Sequence, residues 1–180
     1  MKLLSLRFLT IQALFLSLAG CSLDEDQFKT WRKYSKLSVD DFQAEAPSPE
    51  GREFDAWLFA GLAIEQQNGR PVVKAVIDRY NSWFDSTRNN ARVLNHEVYH
   101  ANLHLIFANE TNRLIRQNHL DWDESTELTN KMSSKSHEVQ LMYDADTKHS
   151  RDTLQQMRWQ LRIDSILNGQ LVFEDIEELQ

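Results

Sequence analysis

Cysteine is almost missing from this 180-residue chain: Cys21 stands alone, so no intrachain disulfide can form. Positive charge is in deficit, with 20 basic residues against 27 acidic ones and a net charge of −7. That balance argues against nucleic acid as a partner. Proline and glycine are scarce, three and five respectively. Neither occurs between Ala91 and Gln117, which leaves room for one uninterrupted helix. Long hydrophobic runs are also lacking. The run from Phe8 to Leu18 is too short for a spanning helix. There is no internal repeat and no low-complexity tract.

What the chain does have begins at its start. Lys2 and Arg7 precede the short apolar run, which is the pattern of a secretion signal over residues 1–20. The run ends in Leu18-Ala19-Gly20-Cys21, which resembles a bacterial lipoprotein box. Cys21 would then be the lipidated first residue of the mature protein and its anchor to a membrane. Ser22 resembles the signal that sorts lipoproteins of Gram-negative bacteria to the outer membrane. Without residues 1–20 the chain keeps 18 basic and 27 acidic residues, net −9. Residues 21–35 are polar and charged and read as a tether. Residues 36–180 suit one domain with its own core.

The pattern within that domain predicts an α+β fold, an N-terminal antiparallel sheet followed by helices. Ala56 to Gln66 is nearly continuous apolar, and Pro71 to Tyr80 alternates. Asn68-Gly69 between them is a hairpin signal. Asp85 to Asn90 is a polar loop before the long helix. A second helix is expected over Glu124 to Leu141 with Leu128, Met132, Val139 and Leu141 inward. The stretch from Tyr143 to Ser150 breaks it. A third helix runs from Arg151 to Leu167 with Leu154, Met157, Leu161 and Ile166 inward, stopped by Asn168-Gly169. Leu171 to Phe173 suggests a short strand.

Within the first helix stands His96-Glu97-Val98-Tyr99-His100. Histidines four apart share one helix face, and the intervening glutamate is placed to act as a base; this is the zincin-like His-Glu-x-x-His pattern. A catalytic Zn2+ usually takes a third protein ligand. His104 lies a further turn along, about 6 Å up the axis, and a straight helix aims three turns at one ion with difficulty. The metzincin continuation is excluded by Leu103 and Ile106. Glu124, Glu127 and Glu138 have no supporting signature. His149 sits in the break between two helices, where a side chain can swing into a site.

Four pieces in order resemble a bacterial family described as predicted secreted zinc-dependent proteases (domain of unknown function 922). They are Leu37 to Phe42, Ser82-Trp83, Leu94 to His100, and the Tyr143-Asp144-x-x-Thr147-x-His149 stretch. The likeness covers nearly all of Lys36 to Leu167. It implies His96, His100 and His149 as zinc ligands and Glu97 as general base. Tyr143 can add a hydrogen bond to the oxyanion or orient a ligand. Asn102 and Asp144 fall to supporting positions behind the metal. The chain departs from the family at Ala101-Asn102, where Phe-Asp is usual, and at Ser150, where glycine is usual. The expected function is a membrane-anchored zinc metallopeptidase acting on peptides or proteins. The rivals are an envelope lipoprotein whose zinc site is structural or degenerate, and amide hydrolysis on cell-wall peptides.

Overall fold

The computed structural model describes residues 14–18, 23–50, 52, 54–88 and 90–176. Cys21 and most of residues 1–20 lie outside that set. Among the described residues no helix is long and apolar enough to cross a membrane.

The fold is α+β. Among the described residues six strands come first: β1 (Leu14–Leu18), β2 (Phe28–Trp31), β3 (Ala56–Trp57), β4 (Ala60–Gln67), β5 (Arg70–Asp78) and β6 (Trp83–Phe84). Three helices follow: α1 (Ala91–Asn118), α2 (Trp122–Thr147) and α3 (Thr153–Leu167). The main sheet has the order β1-β4-β5-β2, and β3 pairs with β6 in a separate ribbon. β2, β4 and β5 are antiparallel neighbours, whereas β1 lies parallel to β4.

The β4–β5 hairpin follows from its turn. Gln67 pairs with Arg70, so the connection is two residues long. Asn68 and Gly69 have φ values of 51° and 74°. Two consecutive positive φ angles make a type I′ turn, whose twist matches the strands it joins.

One expectation about the N-terminal part needs correction. Residues 21–35 are not all tether, because Phe28–Trp31 forms an edge strand on β5. Trp31 is buried in the core, and its indole Nε1 donates to Asn102 Oδ1 at 2.9 Å. Within the expected signal, Leu14–Leu18 runs along β4.

The helix α1 sits in the middle of the molecule. Asn90 caps its start, accepting from the Arg92 backbone at 2.9 Å. It ends at His119 in a left-handed conformation. Leu103, Leu105, Ile106, Phe107 and Ala108 are all buried. A helix with no solvent face over such a stretch must be covered on opposite sides. The sheet supplies one cover, through β4 and β5, and α2 with α3 the other.

The helix α2 begins with a capping box between Asp121 and Glu124. This uses Glu124 structurally. The buried face of α2 is Ser125, Thr129, Met132, Ser136, Val139, Gln140 and Tyr143; of the expected apolar set Met132 and Val139 turn inward, Leu128 is half-buried against the core and Leu141 is exposed. Two of the buried hydroxyls are satisfied within the helix, because Thr129 and Thr147 return theirs to carbonyls one turn back, at 2.7 and 2.6 Å. α2 also continues through Tyr143 to Thr147, so the break between the helices is residues 148–152. The inward face of α3 is Gln156, Trp159 and Ile163; Leu154, Met157 and Leu161 point outward. Phe173–Ile176 is a 3-10 turn in place of the expected strand.

The α2–α3 connection is strained. Lys148, His149 and Ser150 have φ values of 50°, 50° and 71° in succession. An L-residue pays about 1–2 kcal/mol for the left-handed region, and glycine pays far less. Lys148 is exposed, so Lys148→Gly removes no packing. It is expected to stabilise the fold by about 1 kcal/mol, or about 2–4 °C in melting temperature. Thermal denaturation followed by circular dichroism checks this. A lower melting temperature would mean the turn is held by more than backbone preference.

Candidate metal centre

The imidazoles of His96 and His100, one turn apart on α1, are faced by Asp144 from α2. His96 Nε2, His100 Nε2 and Asp144 Oδ1 form a triangle with every side 3.0 Å. These three residues are the one group of metal-ligating side chains among the described residues whose donor atoms converge, and they can hold a metal ion.

The far side of each ring settles which nitrogen carries hydrogen. The Gln140 amide nitrogen donates to the His100 carbonyl at 3.0 Å. A carbonyl only accepts, so the Gln140 Oε1 must be the atom facing His100 Nδ1, with which it makes a short contact. That nitrogen therefore bears a hydrogen. The same logic runs through α3. The Tyr143 hydroxyl donates to the His96 carbonyl at 3.3 Å, so it accepts from the Gln156 amide nitrogen. Gln156 Oε1 is then turned to His96 Nδ1, 2.9 Å away. Both imidazoles have Nδ1–H committed to a glutamine and present Nε2 to Asp144.

The consequence is electrostatic. Two nitrogen lone pairs and a carboxylate oxygen meet at 3.0 Å, an arrangement that requires positive charge among them. A proton on one nitrogen serves only some of the sides of the triangle, whereas a metal ion serves all three donors. For ligands about 2.0–2.1 Å from a tetrahedral ion the donors are about 3.3 Å apart. The triangle is thus close to a size that such an ion fits. With no metal, protons take its part. Burial alone would lower the His100 pKa, but the Asp144 charge and hydrogen bond, with Glu97, outweigh it and raise it to about 9. Asp144 answers in kind. Burial opposes its ionisation, yet His100, His149 and His96 hold it well below the usual carboxylate range.

His149, expected as a ligand, stands outside the triangle. Its Nδ1 is 3.2 Å from Asp144 Oδ1, and its ring packs against Phe54 with centroids 5.1 Å apart. Asp144, expected behind the metal, takes the third corner. The reason is the extra turn of α2: Asp144 is fixed in a helix, while His149 lies beyond its end.

Of the two roles expected for Tyr143, the geometry fits the orienting one: it is fully buried, stacked on His96 at 4.5 Å, and its hydroxyl is held between Gln156 and the His96 carbonyl. Asn102 turns to Trp31 and ties α1 to β2, away from the centre.

Glu97 is buried beside the histidines. Burial raises its pKa, and the charges of His100 and His96 pull it back. A backbone hydrogen bond at Leu58 also lowers it, placing the carboxyl against the entry to β4.

The centre lies in a cleft whose lining includes Phe54, Trp57, Leu58, Val93, Gln140 and Leu141. Five of the six histidines line it: His96, His100, His104, His137 and His149. His104 contacts Ser136 Oγ at 3.1 Å. Burial, then His100 and His137, lowers its pKa to about 3, so it stays neutral and adds no charge.

Gln140 and Gln156 escaped the sequence reading as site residues. Gln140 precedes Tyr143 and Asp144 by three and four positions, which places all three on one helix face. That spacing was the available signal. Gln140→Leu keeps most of the volume and removes the hydrogen-bond acceptor. Supporting partners of this kind are worth about 10–100-fold in metal affinity. A competition titration with a chromogenic chelator is expected to show a loss in that range.

Comparison with known protein families, with curated proteins and with solved structures finds no match for this chain.

Proposed function

We propose that this chain is a zinc-dependent metallopeptidase of the cell envelope, with His96, His100 and Asp144 as the metal ligands. The observation that carries the reading is the orientation of the two Nε2 lone pairs onto Asp144, fixed by Gln140 and Gln156. Bound Zn2+ supplies Lewis acidity, which acidifies water and polarises a carbonyl. Glu97 is the general base: its carboxylate takes the proton of the attacking water and returns it to the leaving amine. Asp144 and His149 hold each other in place at 3.2 Å. Phe54 and Trp57, whose rings stack at 5.4 Å, form an apolar wall of the cleft. That wall suits a substrate with an apolar side chain beside the scissile amide.

The likeness to the secreted zinc-protease family belongs to this proposal, as does anchoring through a lipidated Cys21 at the outer membrane of a Gram-negative bacterium. Both rest on the sequence motifs.

A second reading is a binding lipoprotein with a structural metal site. The closeness of His149 to Asp144 favours it, because a fourth protein donor would close the sphere that a catalytic site leaves open. One experiment separates the two. The chain is purified zinc-replete, its metal content is measured, and peptides with apolar or charged side chains are offered to it. Stoichiometric zinc with cleavage is the expected result. Stoichiometric zinc with no cleavage of any peptide leaves the binding role, and absence of zinc defeats both.

A further inference from the structure

The helices α1 and α2 run antiparallel and meet in layers. In one layer His96 faces Asp144 at 3.0 Å. A turn along, His100 faces Gln140. A turn further, His104 faces Ser136, its Nδ1 3.1 Å from the hydroxyl oxygen. This last layer takes no part in the proposed hydrolysis, yet it is built like the other two. Each imidazole of the row has Nδ1 against a side-chain oxygen: Gln156 for His96, Gln140 for His100, Ser136 for His104. Such a contact fixes the ring and leaves Nε2 for a ligand's role, the usual arrangement behind a metal-bound histidine. A hydroxyl accepts as well as donates, so Ser136 can take the Nδ1 hydrogen and leave a lone pair on Nε2.

His104 is only 8% exposed, and it lines the cleft. None of the described residues hydrogen-bonds to its Nε2. Burial keeps the ring neutral, so no proton competes for that nitrogen near neutral pH. A second imidazole stands nearby. His137 lies three residues before Gln140 and seven before Asp144, on the face of α2 that lines the same cleft. It is half-buried and has no hydrogen-bond partner among the described residues. Its charge acts on His104, which places the two rings in one neighbourhood.

We propose that His104 and His137 hold a second transition-metal ion, about one helix turn along α1 from the first. Two imidazoles without a carboxylate suit Zn2+, Cu2+ or Ni2+ and not Mg2+ or Ca2+, which demand oxygen ligands. Water completes the coordination. The site is weaker than the first for two reasons. It offers two protein donors where the first offers three, and neither carries negative charge. The ion in the first centre is also about 6 Å away along the axis. Repulsion between two doubly charged ions at that distance in water lowers affinity by about 100-fold. The second ion therefore loads only where the metal is abundant, and it occupies the cleft beside the first centre. Its binding does not depend on the first centre being catalytic.

The test uses the full untagged chain, loaded with one equivalent of zinc and then dialysed to equilibrium against rising zinc. The variants are His137→Ala and His104→Gln, with circular dichroism to confirm the fold. His137 is half-buried, so its variant decides the matter if the buried position does not tolerate change. Cys21 and the remaining histidines are common to every sample and cancel in the comparison. Wild type is expected to take up a second zinc about 100-fold or more weaker than the first, and to take up no magnesium or calcium. Each folded variant should keep the first equivalent and lose the second. Absence of a second equivalent up to the solubility limit of zinc overturns the proposal. So does a second equivalent that a folded variant retains, because the ion would then lie elsewhere. A chain that never holds the tight equivalent defeats the peptidase reading alone, since uptake that depends on His137 is read separately.

Discussion

Glu97→Gln is expected to cut peptide hydrolysis by about 100- to 10,000-fold, the range that a positioned general base contributes, while the protein keeps its full complement of metal. The substitution is nearly isosteric. It leaves the hydrogen bonds of His96 and His100 to Gln156 and Gln140 untouched. It removes only the group that accepts the proton. The wild-type carboxyl is buried and raised, with the two imidazoles moderating that rise, so an amide there should also relieve a desolvation cost and stabilise the fold. The measurement is a rate on the best peptide substrate, together with zinc stoichiometry and melting temperature. A variant that cleaves as fast as the parent would remove Glu97 from the chemistry. A variant that loses its metal would show that Glu97 is itself part of the binding set.

The second large effect separates Asp144 from His149. If Asp144 is the third ligand, Asp144→Ala strips a charged corner from the triangle and leaves two histidines, which hold zinc poorly. Stoichiometric zinc should not survive dialysis. His149→Ala removes a hydrogen-bond partner of Asp144 and should weaken affinity by about 10–100-fold, with zinc still bound at saturating concentration. The same pair of variants tests the sequence-based expectation, in which the severities are reversed. Cobalt substitution gives a second readout, since the visible absorption of Co2+ reports coordination number in each variant. An outcome in which His149→Ala loses zinc and Asp144→Ala retains it would return the third position to His149.

The parts of the fold that could be read from sequence are those with local signals. Asn68-Gly69 marked a hairpin, because both residues reach positive φ at little cost, and the pairing of Gln67 with Arg70 sets its turn at two residues. The run without proline or glycine marked α1. The histidine pair needed only the helical repeat. The failures share another cause. Phe28–Trp31 looked like tether, since four residues beside Asp24-Glu25-Asp26 give no periodicity. They become a strand through pairing with β5, some fifty positions away. On α3, two stripes with helical spacing compete. Leu154, Met157 and Leu161 are the more apolar by composition. The stripe of Gln156, Trp159 and Ile163 wins because Gln156 is needed at His96 and Trp159 donates to Asp146 at 3.0 Å. A polar residue at the centre of a buried face disguises it from any hydrophobicity pattern. The same disguise hid the Ser and Thr face of α2.

The sequence-based reading put His149 at the third corner, whereas the structure brings Asp144 to the two histidines. Treating Tyr143 to Ser150 as one interruption left His149 free to swing toward them. Where the helix stops determines the answer. α2 holds its form to Thr147, so Asp144 is positioned by a rigid element and His149 by three left-handed residues.

His96 and His100 belong to α1, Asp144 and Gln140 to α2, and Gln156 to α3. An ion held where these meet is a mass-action weight on the helical packing itself. At a free concentration of 100 times its dissociation constant, such an ion adds about 2.7 kcal/mol to the folded state. The temperature at which the molecule melts would then track the supply of the ion in its surroundings. A compartment starved of that ion would hold a looser protein.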